Sequence, residues 1–301
     1  MSVLRSEAVG PRVHLALLSV QLMFGSLPVA GKLLYSFGHL EPLGLVAART
    51  AGAAAAFWLV ILIGGRREPI RRPAHMARFL VYALLGVAIN QVLFLLGLDY
   101  TTAVNASVLI TTIPIFTAAL VLLLGQEIAR LHRVLGIVIA LAGAGAVCGI
   151  DRLDLSSRLL AGNLMIVANA LSYSLFLVLS RSMLSLYTPL TVTAWVFLFG
   201  ALFTVPVGAL PLAEAVGRFG LAEWALLAWI VGVPTVGAYF LNSWSLKRAP
   251  ASLVAVYVYL QPVTAAILAA ALLGEIIDAK VGAGAVTIFA GIYLAAGRRR
   301  G

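Results

Sequence analysis

Charge is scarce in this chain. Asp, Glu, Lys and Arg make up 11% of its 301 residues, where a water-soluble protein carries about 25%. Acid is scarcer than base, with 11 Asp and Glu against 21 Lys and Arg. No apolar stretch holds a pair of carboxylates at its centre, which argues against an intramembrane aspartyl protease. Only three lysines occur, Lys32, Lys247 and Lys280. None stands in GxxxxGK[ST], so no phosphate-binding loop is expected. The four histidines, His14, His39, His75 and His132, lie at the ends of apolar stretches or between them. HExxH is absent, and no metal site is expected. The single cysteine, Cys148, can form no internal disulfide and sits among small apolar residues, where it reads as a packing residue. No polar segment is long enough to fold an ATPase. Catalytic residues, cofactors and ATP-driven transport therefore find no support, and the expectation is that the chain is not an enzyme.

Apolar residues are plentiful. They make up 62% of the chain, and the mean hydropathy is +1.05. These values identify an integral membrane protein. A net charge of +10 would suggest nucleic acid in a soluble protein. Here it reads as basic loops beside a bilayer, with lipid and not nucleic acid as the partner.

The chain is organised around a stretch that occurs twice. Ala103 to Gly143 carries Pro114, Glu127, Gly136 and Gly143; Ala251 to Gly291 carries Pro262, Glu275, Gly284 and Gly291, each 148 positions on. Weak internal symmetry of this kind marks a protein built from two structural repeats.

A membrane-crossing helix needs roughly 20 mostly apolar residues. Ten such stretches are expected: Val13–Phe37, Leu43–Ile63, Phe79–Leu98, Ala103–Leu124, Val134–Ile150, Leu159–Leu179, Leu190–Leu210, Leu221–Leu241, Ala251–Leu273 and Ile276–Ala296. The first does not read as a signal peptide, because it is long, holds Gly25, Pro28, Gly31 and Lys32, and ends in no small-residue cleavage site. The fold class is thus all-α integral membrane, with ten transmembrane helices as two five-helix repeats over 1–150 and 151–301. With an odd number of helices per half, the second half enters from the opposite face, so the repeats are inverted. The break falls near Asp151–Arg158.

Basic residues sort the loops. One set holds Arg5, Arg12, Arg66, Arg67, Arg71, Arg72, Arg78, Arg130, Arg133, Arg181, Lys247, Arg248, Arg298, Arg299 and Arg300. The other holds Lys32, Arg152, Arg158, Arg218 and Lys280. The richer side is expected to be cytoplasmic, with both termini inside.

Candidate site residues are the polar and aromatic groups at membrane depth. Arg49 is the only charge well inside a stretch. One reading makes it an anchor for a substrate carboxylate or phosphate; the other has it snorkelling to outer headgroups, seven residues past Pro42. Asn90, Gln91 and Phe94 lie mid-way along the third helix, and Asn169 and Tyr173 share a face of the sixth. Tyr239 and Asn242 lie on the eighth, and Tyr257 and Gln261 on the ninth. As a set they suit a pocket for a small polar metabolite, with apolar walls and a few convergent polar groups; singly, each also suits an interhelical hydrogen bond. Pro28, Pro114, Pro234 and Pro262 are expected to kink their helices, with Pro114 and Pro262 facing each other across the pseudo-axis. Glu127 and Glu275 read as caps on the helix that follows each, in preference to gates. Gly145 and Gly149, and the stripe Ala283, Thr287, Gly291 and Ala295, suit close helix packing, either between the repeats or in a homodimer through helices five and ten.

These motifs carry a resemblance. Leu96-Gly97-Leu98, Thr101-Thr102-Ala103, Ala106-Ser107, Pro114 and Gln126-Glu127, echoed by Ala249-Pro250-Ala251-Ser252, Gln261-Pro262 and Leu273-Gly274-Glu275, resemble the EamA family of the drug/metabolite transporter superfamily. The likeness covers nearly the whole chain; Leu124-Gly125-Gln126-Glu127 departs by one residue from the more typical Leu-Gly-Glu. It implies an inner-membrane secondary transporter, often an exporter of amino acids or other metabolites, with helices one to four and six to nine around a central cavity and five and ten outside it. Two other readings stand beside it. An organic-phosphate or nucleotide-sugar exchanger would want more than one cation at depth. A non-transporting membrane scaffold would have a dry, apolar centre.

Overall fold

The computed structural model describes residues 9–65, 67–101, 106, 109–127, 130–148, 157–273 and 279–296. No strand occurs among them. In chain order the helices are α1 (Pro11–Ser36), α2 (Pro42–Ile63), α3 (Pro73–Tyr100), α4 (Ile113–Leu123), α5 (Leu131–Cys148), α6 (Ser157–Leu184), α7 (Pro189–Val216), α8 (Leu221–Leu246), α9 and α10 (Ala279–Ala296). α9 runs as Ala251–Val256, a 3₁₀ turn at Tyr257–Tyr259, then Leu260–Leu273. Seven of these helices are long and apolar enough to cross a membrane, and three further apolar helices, Ile113–Leu123, Leu131–Ala146 and Gly282–Ala295, are shorter. The expectations on Ala103, Ser107, Gly149 and Glu275, and the break near Asp151–Arg158 up to residue 156, lie outside the described residues, as does the side chain of Cys148.

Several helices exceed the apolar stretches that announced them. α3 begins at Pro73, six residues before Phe79, and α6 runs on to Leu184. Hydropathy stops at the first polar residues, whereas a helix stops where its backbone does. Proline marks the starts of α1, α2, α3 and α7, each time in the first turn, where its missing N–H costs nothing.

Two proline expectations need correction. Pro114 does not kink a helix; it stands in the first turn of α4, directly after the turn at Thr111-Thr112. Its repeat partner Pro262 opens the last segment of α9 just after the 3₁₀ turn. In both places the helix is interrupted and restarted, which spares the hydrogen bond that a proline in mid-helix would remove.

The surface is apolar and the interior is partly polar. Leu15, Leu59, Ile63, Leu123, Leu164, Leu202 and Leu210 are exposed, while Gln21, Arg49, Asn90, Gln91, Asn163, Asn169 and Asn242 are buried. A water-soluble bundle sorts these residues the other way; this surface suits lipid. The molecule is a multi-pass membrane protein.

The main helix contacts are α5 with α10, α2 with α7, α3 with α6, α1 with α8 and α9, α4 with α6 and α9, α3 with α7, and α2 with α8. Glycine sets the closest of them. A Cβ on Gly136 would lie 2.6 Å from the Gly291 carbonyl oxygen and the Ala295 nitrogen, and one on Gly143 would lie 2.7 Å from the Ile288 nitrogen. The small residues Gly291 and Ala295 therefore face α5 within the same chain. Gly136→Ala is expected to destabilise the protein by about 1–3 kcal/mol through overpacking. Gly282→Ala, on the same helix pair with open space around it, should not. Thermal unfolding of both variants in detergent checks this; equal melting temperatures would contradict it.

Candidate functional site

A small cavity, of about 60 Å³, lies among the helices. Arg49, Asn90, Gln91, Phe94, Asn169, Tyr173, Tyr239 and Gln261 line it, together with Phe24, Leu27, Pro28, Ile110 and Ile113. Six helices, α1, α2, α3, α6, α8 and α9, bring the polar and aromatic groups to one place. Of the residues singled out in the sequence, two stand elsewhere. Tyr257 is buried against α1, where its hydroxyl bonds His14 Nδ1. Asn242 is 2% exposed, off the cavity, with an amide nitrogen that has no partner among the described residues.

Arg49 is positioned by a proline. Pro234 has no N–H to give to the carbonyl of Ile230, and the chain from Gly232 to Gly237 forms a π-helical segment. The Thr235 hydroxyl donates to the freed Ile230 carbonyl at 2.7 Å. With its proton so committed, the same oxygen accepts from Arg49 Nε at 2.9 Å. Arg49 is 2% exposed and faces the cavity, so its guanidinium is not at the headgroups. No carboxylate pairs with it among the described residues.

Tyr239 and the two asparagines form a second group. The Tyr239 hydroxyl shares its proton between Asn90 Oδ1 (3.1 Å) and the Gly86 carbonyl (3.2 Å). Asn169 Nδ2 donates to the Asn90 carbonyl at 2.6 Å. That segment of α3 is also π-helical, over Leu84–Ala88. The two π segments begin 148 positions apart, at Leu84 and Gly232. Gln91, 1% exposed, stands within reach of the Tyr239 hydroxyl, and neither Oε1 nor Nε2 makes a close hydrogen bond among the described residues. Gln261 Nε2 donates to Gln21 Oε1 at 2.8 Å, linking α9 to α1. Phe24 meets Tyr173 and Tyr239 edge to face, with centroids 6.4 and 5.4 Å apart.

Three of these participants were not singled out in the sequence: Gln21, Phe24 and Thr235. Gln21 carried a signal of the same kind as Gln91, an amide inside an apolar stretch. Thr235 carried a weaker one, its place directly after a proline.

Glu127 serves the start of a helix in the other half of the chain. It accepts from the Ser252 amide at 3.3 Å and from the Ser252 hydroxyl, at the start of α9, and pairs with Arg133 at 2.7 Å. Sequence proximity pointed to α5, where Arg133 lies; the described backbone amide that the carboxylate meets is that of Ser252.

A family profile described as the EamA-like transporter family matches residues 12–148 and again residues 160–297. An uncharacterized transporter of Archaeoglobus fulgidus is 32% identical over 215 residues, 71% of this chain and 74% of that protein. The uncharacterized transporter YyaM of Bacillus subtilis is 27% identical over 87% of each chain. Protein WALLS ARE THIN 1 of Arabidopsis thaliana is 26% identical over 94% of this chain and 82% of its own. A crystal structure shares the fold with a TM-score of 0.77 at 19% identity, covering 95% of this chain and 97% of that one. The apolar exterior, the polar cavity and these likenesses lead to one conclusion: the chain belongs to the EamA-like transporter family and is a membrane transporter.

Proposed function

We propose that the chain is a secondary transporter that exports a small organic metabolite, the broad class that includes amino acids, by alternating access. Its ten helices cross the inner membrane as two inverted five-helix repeats, 1–150 and 151–301, with the basic loops and both termini in the cytoplasm. The carrying observation is the cavity itself, with largely apolar walls, a few convergent polar groups and a buried guanidinium, built from helices of both halves. A scaffold with a dry apolar centre would have no use for it. A single cation suits a phosphate dianion poorly, so the organic-phosphate exchanger ranks behind.

The repeat reading has further support. α5 and α10 have the same length at an offset of 148 positions, and so do the starts of the π segments. Exchanging each helix for its counterpart five places on turns the contact α3–α6 into α8–α1, α1–α9 into α6–α4, and α2–α8 into α7–α3, all of which occur. Such a pattern is what a pseudo-twofold axis produces. A homodimer through α5 and α10 would use their outer face, where Val138, Val286, Phe289 and Tyr293 are exposed.

One labelling experiment tests both the orientation and the cavity. Single cysteines replace Arg72, Glu214, Asn169 or Gln261 in a Cys148→Ala background. In intact cells an impermeant thiol reagent should reach Glu214→Cys and not Arg72→Cys. A small hydrophilic reagent should reach Asn169→Cys and Gln261→Cys, and a transported solute should protect them. Labelling of Arg72→Cys from outside would reverse the orientation. Silence at both cavity positions, beside a reactive loop position, would remove the cavity from the transport path.

A further inference from the structure

The described cavity lining holds one cation and no anion. Arg49 spends Nε on a neutral hydroxyl, and no described residue accepts from its two terminal nitrogens. The stretch from Thr102 to Val108, just before the lining residue Ile110, contains no ionisable side chain. Gln91 lines the same cavity, 1% exposed; the Tyr239 hydroxyl is within its reach, and neither amide atom makes a close hydrogen bond to a described residue. A buried charge without a counterion and a buried amide without a close partner are both costly. Together they are complementary to one chemical group, a carboxylate, which would take bidentate bonds from the guanidinium and a further one from the amide nitrogen.

Charge balance narrows the class. One carboxylate brings the site to neutrality. A phosphate monoester, which carries close to two charges at neutral pH, would leave an anion uncompensated. An ammonium group would add a second cation with no described carboxylate in the lining to meet it. The other walls, Phe24, Leu27, Phe94 and Tyr173, offer apolar and aromatic surface. Phe197 stands 148 positions after Arg49, where the other half of the chain would carry its equivalent, and is wholly apolar. The anion site is therefore single.

Building on the transport reading above, we propose that the solute is a monocarboxylate with an apolar body and no ammonium group, its carboxylate seated between Arg49 and Gln91. The test is a matched series bound to the wild-type chain in lipid nanodiscs, measured by calorimetry against empty discs: hydrocinnamate, phenylalanine, hydrocinnamide and phenethyl phosphate. Hydrocinnamate should bind at least about tenfold more tightly than each of the others, the size of one lost charge-assisted interaction. Phenylalanine or the phosphate binding as well as hydrocinnamate would overturn the assignment, and so would an absence of hydrocinnamate binding. If hydrocinnamate fails while another solute still protects Asn169→Cys, the acid assignment falls and the transport reading stands. If the cavity cysteines are also silent, both fall.

Discussion

Arg49→Gln is expected to weaken the apparent affinity for an acidic solute by about 10- to 150-fold, the equivalent of roughly 1.5–3 kcal/mol for one charge-assisted interaction. Arg49→Lys should fall between wild type and Arg49→Gln. It keeps the charge but loses the planar fork, and with it the bidentate geometry and the Nε contact to Thr235. A solute without a carboxylate should be affected far less by either change. Folded yield should hold or rise in Arg49→Gln, because the variant removes a buried charge that no described carboxylate balances. Initial transport rates against solute concentration, normalised to folded protein, measure the effect. An unchanged apparent affinity in Arg49→Gln would take Arg49 out of the site.

The second large effect is expected at Glu127. Glu127→Ala strips the start of α9 of its acceptor at Ser252 and leaves the Arg133 guanidinium without its carboxylate. The loss should be about 1.5–3 kcal/mol of stability. Glu127→Gln should cost less, since an amide oxygen still accepts from Ser252 while the charge pairing with Arg133 is gone. Melting in detergent should rank wild type above Glu127→Gln and that above Glu127→Ala. A Glu127→Ala chain that melts with the wild type would show that the cap adds nothing.

The sequence made some parts of this molecule legible for a clear physical reason. An amide in a membrane helix must find protein or water, so Asn90, Gln91, Asn169 and Gln261 were bound to turn inward, while Arg49 had the headgroups as a second outlet that only its burial closes. The same logic applied to Gln21, which went unremarked. It applied less to Thr235, because a threonine can satisfy itself on its own helix and gives no sign of reaching out. Asn242 shows the limit of the argument. It is buried as required, but the requirement is for burial and not for a cavity. Glu127 shows another limit, since helix-capping chemistry names the kind of partner and not which helix supplies it. The prolines marked some sites of backbone disruption and not others: Pro114 and Pro262 stand where a helix restarts and Pro234 in a π segment, whereas Pro28 lies inside an uninterrupted α1 and the π segment at Leu84–Ala88 contains no proline.

The paired π segments carry a mechanical meaning. A π turn holds one residue more than an α turn, so taking that residue into or out of the turn rotates everything beyond it by about 100°. In α3 the segment ends at Ala88, two residues before Asn90 and three before Gln91; in α8 it ends at Gly237, two before Tyr239. Each is a ratchet of one residue placed directly upstream of the groups that face the cavity. Rewinding Leu84–Ala88 into regular α-helix with every residue kept would turn Asn90 and Gln91 about 100° away from the cavity, whereas deleting one residue there would remove the bulge and leave them facing it. One chain can in this way present two sets of side chains to the same cavity by winding or unwinding a turn, with the bundle around it left as it is.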